Sequence, residues 1–214
     1  MNLKRTIAPA TDFITVEDAA TQVFGDDTFD SSKLTRDIKA VIRYAETYTG
    51  RSFINQTWKM TIQDFPDSTR YNKGRSIFLP KGNLQSVTSL KYRDQNGTLQ
   101  TLVEDTDYRV VNSCNDYGII ERIETAGDWP VVDSYFEDAV EVVYVVGDGD
   151  TLNAAEYSEL ISGCMILIGE LYATRQVNIP GNYTESFFYQ MFFNHYKIFT
   201  DFNLLNQVKN KSFH

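Results

Sequence analysis

Two long stretches of the chain carry apolar residues at helical spacing, one near each end of the sequence. In residues 156–175 the apolar positions recur every three or four residues and form one broad face. Residues 33–50 carry a second apolar stripe that ends at Gly50, a residue suited to the left-handed conformation at a helix C-terminus. Because neither face is stable in water, we expect the two helices to pack against each other.

Between these helices the hydrophobic period changes to two, which indicates half-buried strands. Val140–Val146 is almost wholly apolar, so we expect it to be the central strand. Asn96-Gly97 predicts a hairpin turn, because both residues tolerate a positive φ. The predicted strands are residues 57–64, 76–79, 87–93, 98–102, 108–111, 119–123 and 140–146.

The two ends of the chain are less regular. Residues 1–13 are predicted to be an irregular arm, after which Thr15 and Asp18 resemble a capping box that begins a short helix. An aromatic-rich helix is predicted from Glu185 to about Thr200. The last segment, residues 203–214, carries two lysines and no acidic residue.

Together these elements predict an α+β fold, a helical bundle of N-terminal and C-terminal helices with an inserted antiparallel β-rich domain. We divide the chain into four parts. Residues 1–52 form the arm and the first helices of the helical frame, and residues 53–150 form the β-rich insertion. Residues 151–202 supply the C-terminal helices of the frame, and residues 203–214 are a C-terminal tail.

Composition places the chain among ordinary globular proteins. Of 214 residues, 42% are hydrophobic and 23% are charged, and no apolar run is long enough to span a bilayer. The N-terminus has two basic residues but no following apolar block, so no secretory signal is predicted. Cys114 and Cys164 are the only cysteines, and Cys164 falls on the apolar helix face, so we expect a core residue and no disulfide framework.

The negative charge is concentrated in one part of the sequence. The net charge is −9, yet residues 101–160 contain fifteen Asp or Glu against Arg109 and Arg122, a local net charge of −13. This block is either a solvated acidic face, a surface that avoids a polyanion, or a surface that meets a basic partner.

No catalytic constellation is recognisable in the sequence. The two histidines, His195 and His214, lack metal-ligand spacing to each other or to a cysteine. No Walker-type loop, nucleophile elbow or H-E-x-x-H motif is present. The Gly147–Asp150 turn has acids where a phosphate loop needs a lysine, and it lacks the further ligands of a calcium loop. We therefore predict no metal, no cofactor and no enzymatic activity.

Five sequence blocks, in this order, resemble the head–tail connector proteins (also called adaptor or head-completion proteins) of long-tailed bacteriophages and gene transfer agents. The most specific is YAETYTGRSFINQTW, in which a helix ends in Thr-Gly-Arg and a strand opens with Gln-Thr-Trp. The other blocks are ITVEDAATQVFG, IFLPKGNLQSVTSLKYRDQNGTLQTL, AVEVVYVVGDGD and ELYATRQ. Together they cover roughly residues 14–176.

The resemblance implies a structural protein of the virion neck, between capsid and tail, that is assembled in the host cytoplasm and has no membrane partner. Such proteins form a ring, usually of twelve copies, under the portal protein. The ring extends the channel through which double-stranded DNA passes without sequence-specific binding. It also provides a docking platform for a stopper or tail-terminator protein.

Two groups of residues become candidates under this interpretation. A negative channel wall repels phosphates, so part of the acidic block is expected to face the channel. The channel-facing candidates are Glu121, Glu124, Asp128, Glu137 and Asp138. In the resembled family the C-terminal segment reaches the portal. The alternative for this tail is a disordered terminus, but its composition is too apolar for a solvated tail. The portal-docking candidates are Phe202, Leu204, Leu205, Val208, Lys209, Lys211 and Phe213.

Two other functions remain open at this point. The main alternative is a β-rich ligand-binding module of a virion or cell surface, with Trp58, Trp129 and the tyrosines stacking on carbohydrate, although core packing explains most of these rings. A second is a hydrolase with an unfamiliar site. Only the connector interpretation requires ring assembly, so the mass of the assembled protein distinguishes it from both.

Overall fold

The structure, a computed structural model, describes residues 1–23, 31–66, 76–114, 116–133, 135–173 and 188–198, with only the backbone for residues 112–114 and 188–190. Within these ranges the chain forms four α-helices and two antiparallel sheets. The helices are α1 (Val16–Val23), α2 (Ser31–Thr49), α3 (Ser158–Ala173) and α4 (Phe188–Asn194). The strands are β1 (Asn2–Ile7), β2 (Gln56–Ile62), β3 (Ser76–Leu79), β4 (Leu84–Arg93), β5 (Leu99–Leu102), β6 (Tyr108–Cys114), β7 (Tyr117–Arg122) and β8 (Val140–Val146).

The ends of the first two helices follow from their local sequence. Thr15 Oγ1 accepts a hydrogen bond from the Asp18 backbone N–H at 3.0 Å, which satisfies one free donor at the start of α1. At the end of α2, Gly50 has φ of 74°, the left-handed conformation predicted for it.

The four helices share one buried apolar cluster. The stripe of α2, including Leu34, Ile38 and Val41, packs with Leu160 and Ile168 of α3. The predicted contact between the two long helices is therefore confirmed. α1 and α4 complete the cluster.

Eight strands form the two sheets and a second apolar cluster. The larger sheet has the order β1-β2-β8-β4-β5 and the smaller has β3-β7-β6. β8 lies in the centre of the larger sheet, as its apolar sequence predicted. Alternate residues of β8 are buried, so Val142 and Tyr144 point into a cluster that both sheets line.

The prediction of an irregular arm for residues 1–13 is wrong. Residues 2–7 form β1, which pairs antiparallel with β2. Its side chains are mostly polar and exposed, with only Leu3 and Arg5 half-buried, so the hydrophobic pattern is weak. What orders this segment is the free edge of β2, which offers unpaired backbone groups.

The aromatic helix is shorter than predicted at its C-terminal end. α4 ends at Asn194, and Ile198 N–H donates instead to the Thr49 carbonyl at 2.8 Å. The Tyr196 ring stacks on Tyr157 with centroids 5.4 Å apart, so tertiary contacts override the helical pattern. Residues 185–187 and 199–200 of the prediction lie outside the described residues.

The predicted hairpin at Asp94–Gly97 joins β4 and β5. Only Gly97 has a positive φ, 75°, and Asn96 does not. The Asp94 carboxylate accepts backbone N–H bonds from Asn96 and Thr98 at 2.9 and 3.0 Å, and these bonds hold the turn.

Candidate interaction surfaces

The channel-facing candidates lie on and after β7. Glu121 is in β7 and accepts two hydrogen bonds from the Arg109 guanidinium, at 2.9 and 2.5 Å, so its charge is balanced locally. Glu124 begins a short 3-10 helix, Glu124–Ala126, and is exposed, as is Asp128. Glu137 and Asp138 are exposed in the turn before β8.

The segment between β7 and β8 is anchored to the sheets by apolar side chains. Trp129 stacks on Phe65 with ring centroids 4.6 Å apart and an angle of 2° between the planes. Val132 is buried in the same cluster. These anchors hold two exposed acid pairs on the surface of the apolar cluster that the strands form, which we call the sheet cluster. Glu124 and Asp128 precede the anchors, and Glu137 and Asp138 follow them.

Both tryptophans on which the carbohydrate alternative depended are engaged within the chain. Phe65 covers one face of Trp129. Trp58 packs against the sheet cluster and donates its Nε1–H to Ser52 Oγ at 3.1 Å. The Lys81 ammonium lies 5.1 Å from the centroid of the Trp58 ring.

A cation-lined cavity of about 140 Å³ lies where the helices meet the larger sheet. We call it the basic pocket. Its lining contains the four cations Arg5, Arg43, Arg51 and Lys81 and a single carboxylate, Glu46. Arg5 comes from β1, Arg43 and Glu46 from α2, and Lys81 from the turn after β3. Such a surplus of positive charge is unexpected in a chain of net charge −9.

Two of the cations have partners within the chain. The Arg51 Nε–H donates to the Tyr196 carbonyl at 3.2 Å, and its guanidinium forms an ion pair with Asp116. Arg5 lies 3.8 Å from the Glu46 carboxylate and donates to Gln56 Oε1 at 3.1 Å. Arg51 therefore links the turn after α4 to the smaller sheet.

The other two cations, Arg43 and Lys81, form no ion pair with a carboxylate of the described residues. Burial lowers the pKa of Lys81, the nearby Glu46 opposes that shift, and Arg43 adds to it. Burial likewise raises the pKa of Glu46, although Gln56 donates to its carboxylate at 2.6 Å. The pocket thus holds more positive charge than its own carboxylate balances.

Lys81 also has an unusual backbone. Its φ is 90°, which is uncommon for a residue with a Cβ. The Lys81 carbonyl accepts a hydrogen bond from Ser52 N–H at 2.8 Å, which fixes the turn beside Arg51. The side chain of Lys81 is consequently held over Trp58 at the pocket wall.

Sequence reasoning did not find the basic pocket. Its cations lie at positions 5, 43, 51 and 81, too far apart in the chain to form a motif. The only local signal is Gly50-Arg51, which formed part of the most specific sequence block. The fold alone brings the four side chains together.

A second surface is the exposed loop of residues 135–138, which we call the YFED loop after its sequence. Tyr135 is 95% exposed and Phe136 is 42% exposed, and Glu137 and Asp138 follow them. The Asp133 side chain accepts a hydrogen bond from Tyr135 N–H at 3.1 Å, so the backbone of the loop is fixed. Adjacent exposed aromatic rings and acids are typical of a protein–protein contact.

The portal-docking candidates, from Phe202 to Phe213, lie outside the described residues. Within the described residues, no three His, Cys, Asp or Glu side chains form a group that could hold a metal ion. In the same ranges, no helix has the length and hydropathy needed to cross a membrane.

The fold recurs in known particles. No protein-family model and no curated protein matches the chain. Solved structures do match, each with 17% sequence identity over 94% of this chain and 97% of the other chain. A chain in the virion of a native gene transfer agent particle has a TM-score of 0.70. Chains in the neck of an empty particle, computed with C6 symmetry, and of a native particle, computed with C12 symmetry, have TM-scores of 0.69 and 0.66.

This chain has the fold of a gene transfer agent neck subunit. The match covers nearly all of both chains, so it includes the helices as well as both sheets. It agrees with the family resemblance found in the sequence blocks.

Proposed function

We propose that this chain is a structural head–tail connector protein of a virion neck and has no catalytic role. The observation that carries the proposal is the fold match to gene transfer agent neck subunits over 94% of the chain. The five ordered sequence blocks point independently to the same family.

In this proposal the copies form a closed ring of twelve beneath the portal protein, and double-stranded DNA passes through its centre. Support for the ring comes from a similar chain in a neck with C12 symmetry. A closed ring needs two different faces on each subunit that fit each other. The lower face of the ring would receive the stopper or tail-terminator protein.

The proposed architecture is a helical bundle that holds the β-rich part as an insertion. Support comes from the separation of the two apolar clusters, one built by helices and the other by strands. The chain passes from the helices into the strands near residue 53 and returns near residue 150. β1 modifies this division, because it lies before the helices in sequence and pairs with β2.

The exposed acids are proposed to contribute to the channel wall. Glu124 and Asp128 are exposed and are the acids proposed for the wall, whereas Arg109 balances Glu121. The other two candidates, Glu137 and Asp138, are also exposed and are assigned to a contact between copies in the next section. A negative wall repels phosphate and avoids the counterion release that drives DNA binding to basic surfaces. The purified protein should therefore not bind duplex DNA at physiological salt.

The decisive experiment is electron microscopy of particles that contain the tagged chain. We expect twelve copies in a ring between portal and tail. A monomer or dimer in the assembled particle, or localisation outside the neck, would refute the proposal.

The tail is tested separately by deleting residues 203–214. We expect portal binding to be lost while the melting temperature is unchanged, because the tail is proposed to order against the portal. Unchanged portal binding would remove the docking role from Leu204 and the tail residues that follow.

A further inference from the structure

We propose that the basic pocket is the socket for the YFED loop of a neighbouring copy, so that Glu137 and Asp138 of one subunit face Arg43 and Lys81 of the next. The inference rests on the proposed ring and identifies one contact that closes it.

The charges of the two surfaces are matched in number. In the pocket, Glu46 lies beside Arg5 and Asp116 pairs with Arg51. Arg43 and Lys81 form no ion pair with a carboxylate of the described residues. Glu46 lies near Lys81, but it is already shared with Arg5. Two adjacent carboxylates on the YFED loop would balance these two cations.

The size and position of the pocket also suit a side-chain carboxylate. Its volume of about 140 Å³ is well above the ~10–15 Å³ of cavity that one water requires. Lys81 is partly buried, so an anion beside it would act in an environment less polar than water. The same burial and the nearby Arg43 lower the pKa of Lys81, and an added carboxylate would reverse that shift.

One subunit cannot bring its own two surfaces together. The YFED loop precedes Val140 at one end of β8, and Gln56 beside the pocket pairs with Val146 at the other end. With a rise of about 3.3 Å per residue, the strand separates the ends by roughly 20 Å. Two complementary surfaces at opposite ends of a rigid strand meet only between copies, in a head-to-tail arrangement.

The aromatic residues of the loop support a protein partner over a DNA phosphate. Tyr135 is 95% exposed beside the two acids, and such a ring gains stability by burial in an interface. A phosphate in the pocket would leave this ring in water. Binding of DNA in the pocket is therefore the competing outcome of the test.

The test is a charge swap in assembled particles. Reversing the pocket (Arg43→Glu with Lys81→Glu) or the loop (Glu137→Lys with Asp138→Lys) should each lower the number of copies per particle at least about tenfold, because like charges then face each other. Combining all four changes should restore most of the assembly. Melting temperatures of the purified variants show that each still folds.

Matched controls make the same charge changes elsewhere. Lys4→Glu with Lys39→Glu reverses two exposed cations that lie on β1 and α2 outside the pocket. Glu124→Lys with Asp128→Lys alters the other exposed acid pair after β7. Both controls should assemble normally. Loss of assembly in the acid control but not in the loop variant would overturn the proposal.

A cysteine pair tests the contact directly. Lys81→Cys with Asp138→Cys in one chain should give a ladder of disulfide-linked copies in particles, while Lys4→Cys with Asp138→Cys should not. If wild-type particles contain the ring but the charge swaps and the ladder have no effect, this inference fails and the proposed function stands. If wild-type particles contain no ring, both fail.

The competing possibility, DNA binding in the pocket, is measured on the purified protein. If the wild-type chain binds duplex DNA and the Arg43→Glu, Lys81→Glu variant loses that binding while its assembly is unchanged, the pocket is a phosphate site and the proposal is overturned.

Discussion

Substituting Gly147 by alanine should be among the most destabilising single-methyl changes in the chain. Gly147 follows β8, where the chain returning to the helices crosses the segment that enters the sheet. At this crossing, Asp148 N–H donates to the Phe53 carbonyl and Asn55 N–H donates to the Gly149 carbonyl, both at 2.9 Å. A Cβ on Gly147 would lie 2.5 Å from Asn55 N and 2.6 Å from Ile54 C.

Two effects add at this position. The φ of Gly147 is 146°, a sparsely populated conformation that costs a residue with a Cβ about 1–3 kcal/mol. The close atoms belong to the backbone and cannot rotate away, and such overpacking costs about 1–3 kcal/mol. We therefore expect Gly147→Ala to lower the free energy of unfolding by about 2–6 kcal/mol.

Gly97→Ala is the matched control. Gly97 also has a positive φ, 75°, but a Cβ added there would meet no atom within 4 Å beyond its chain neighbours. Gly97→Ala should lower the free energy of unfolding only by the conformational cost of a positive φ, about 1 kcal/mol. The difference between the two variants isolates the backbone clash at the crossing.

The assay is urea unfolding followed by tryptophan fluorescence, since Trp58 and Trp129 both pack against the sheet cluster. For a chain of this size, 1 kcal/mol shifts the melting temperature by about 2–4 °C, so Gly147→Ala should melt about 10 °C lower. Equal stabilities of the Gly147 and Gly97 variants would refute the reasoning, because the contact of the added Cβ with the backbone of Ile54 and Asn55 would then cost no free energy of unfolding.

Three further predictions concern single groups. Thr15→Ala removes the 3.0 Å cap bond to Asp18 N–H and should cost about 1 kcal/mol by urea unfolding, whereas Thr21→Ala within the same helix should change little. Burial raises the pKa of Glu46, so the folded state holds this proton more tightly than the unfolded state does, and stability falls as pH rises from 4.5 through the raised pKa. Glu46→Gln should remove that decline in melting temperature, and parallel curves of melting temperature against pH for the wild type and the variant would contradict the prediction. Burial also raises the pKa of Cys164 to about 12, so peptide mapping should find this thiol unmodified by iodoacetamide at pH 8 until urea unfolds the chain.

The local elements were predictable because their signals lie within a few residues of each other. The Thr15 cap, the Gly50 helix end and the apolar β8 strand each follow from short-range stereochemistry or periodicity. The contact between α2 and α3 followed from two long apolar faces that had no other cover of similar size.

Other features depend on distant parts of the chain. β1 has a weak pattern and is ordered by the edge of β2 more than fifty residues away. α4 ends early because Tyr196 packs on Tyr157 and the backbone turns to bond Thr49. No periodicity in residues 188–198 contains that information.

The sequence by itself determined the kinds and order of the elements that follow β1, and the acidic balance of the chain, because propensity, periodicity and charge are properties of neighbouring residues. Only the tertiary structure decided where the charges meet. Arg5, Arg43, Arg51 and Lys81 are scattered along the chain. The pairing of β1 with β2 brings Arg5 beside the end of α2, and the backbone bond from Ser52 to Lys81 brings Lys81 there. Electrostatic energy depends on distance in space, which the separation of residues along a chain does not specify.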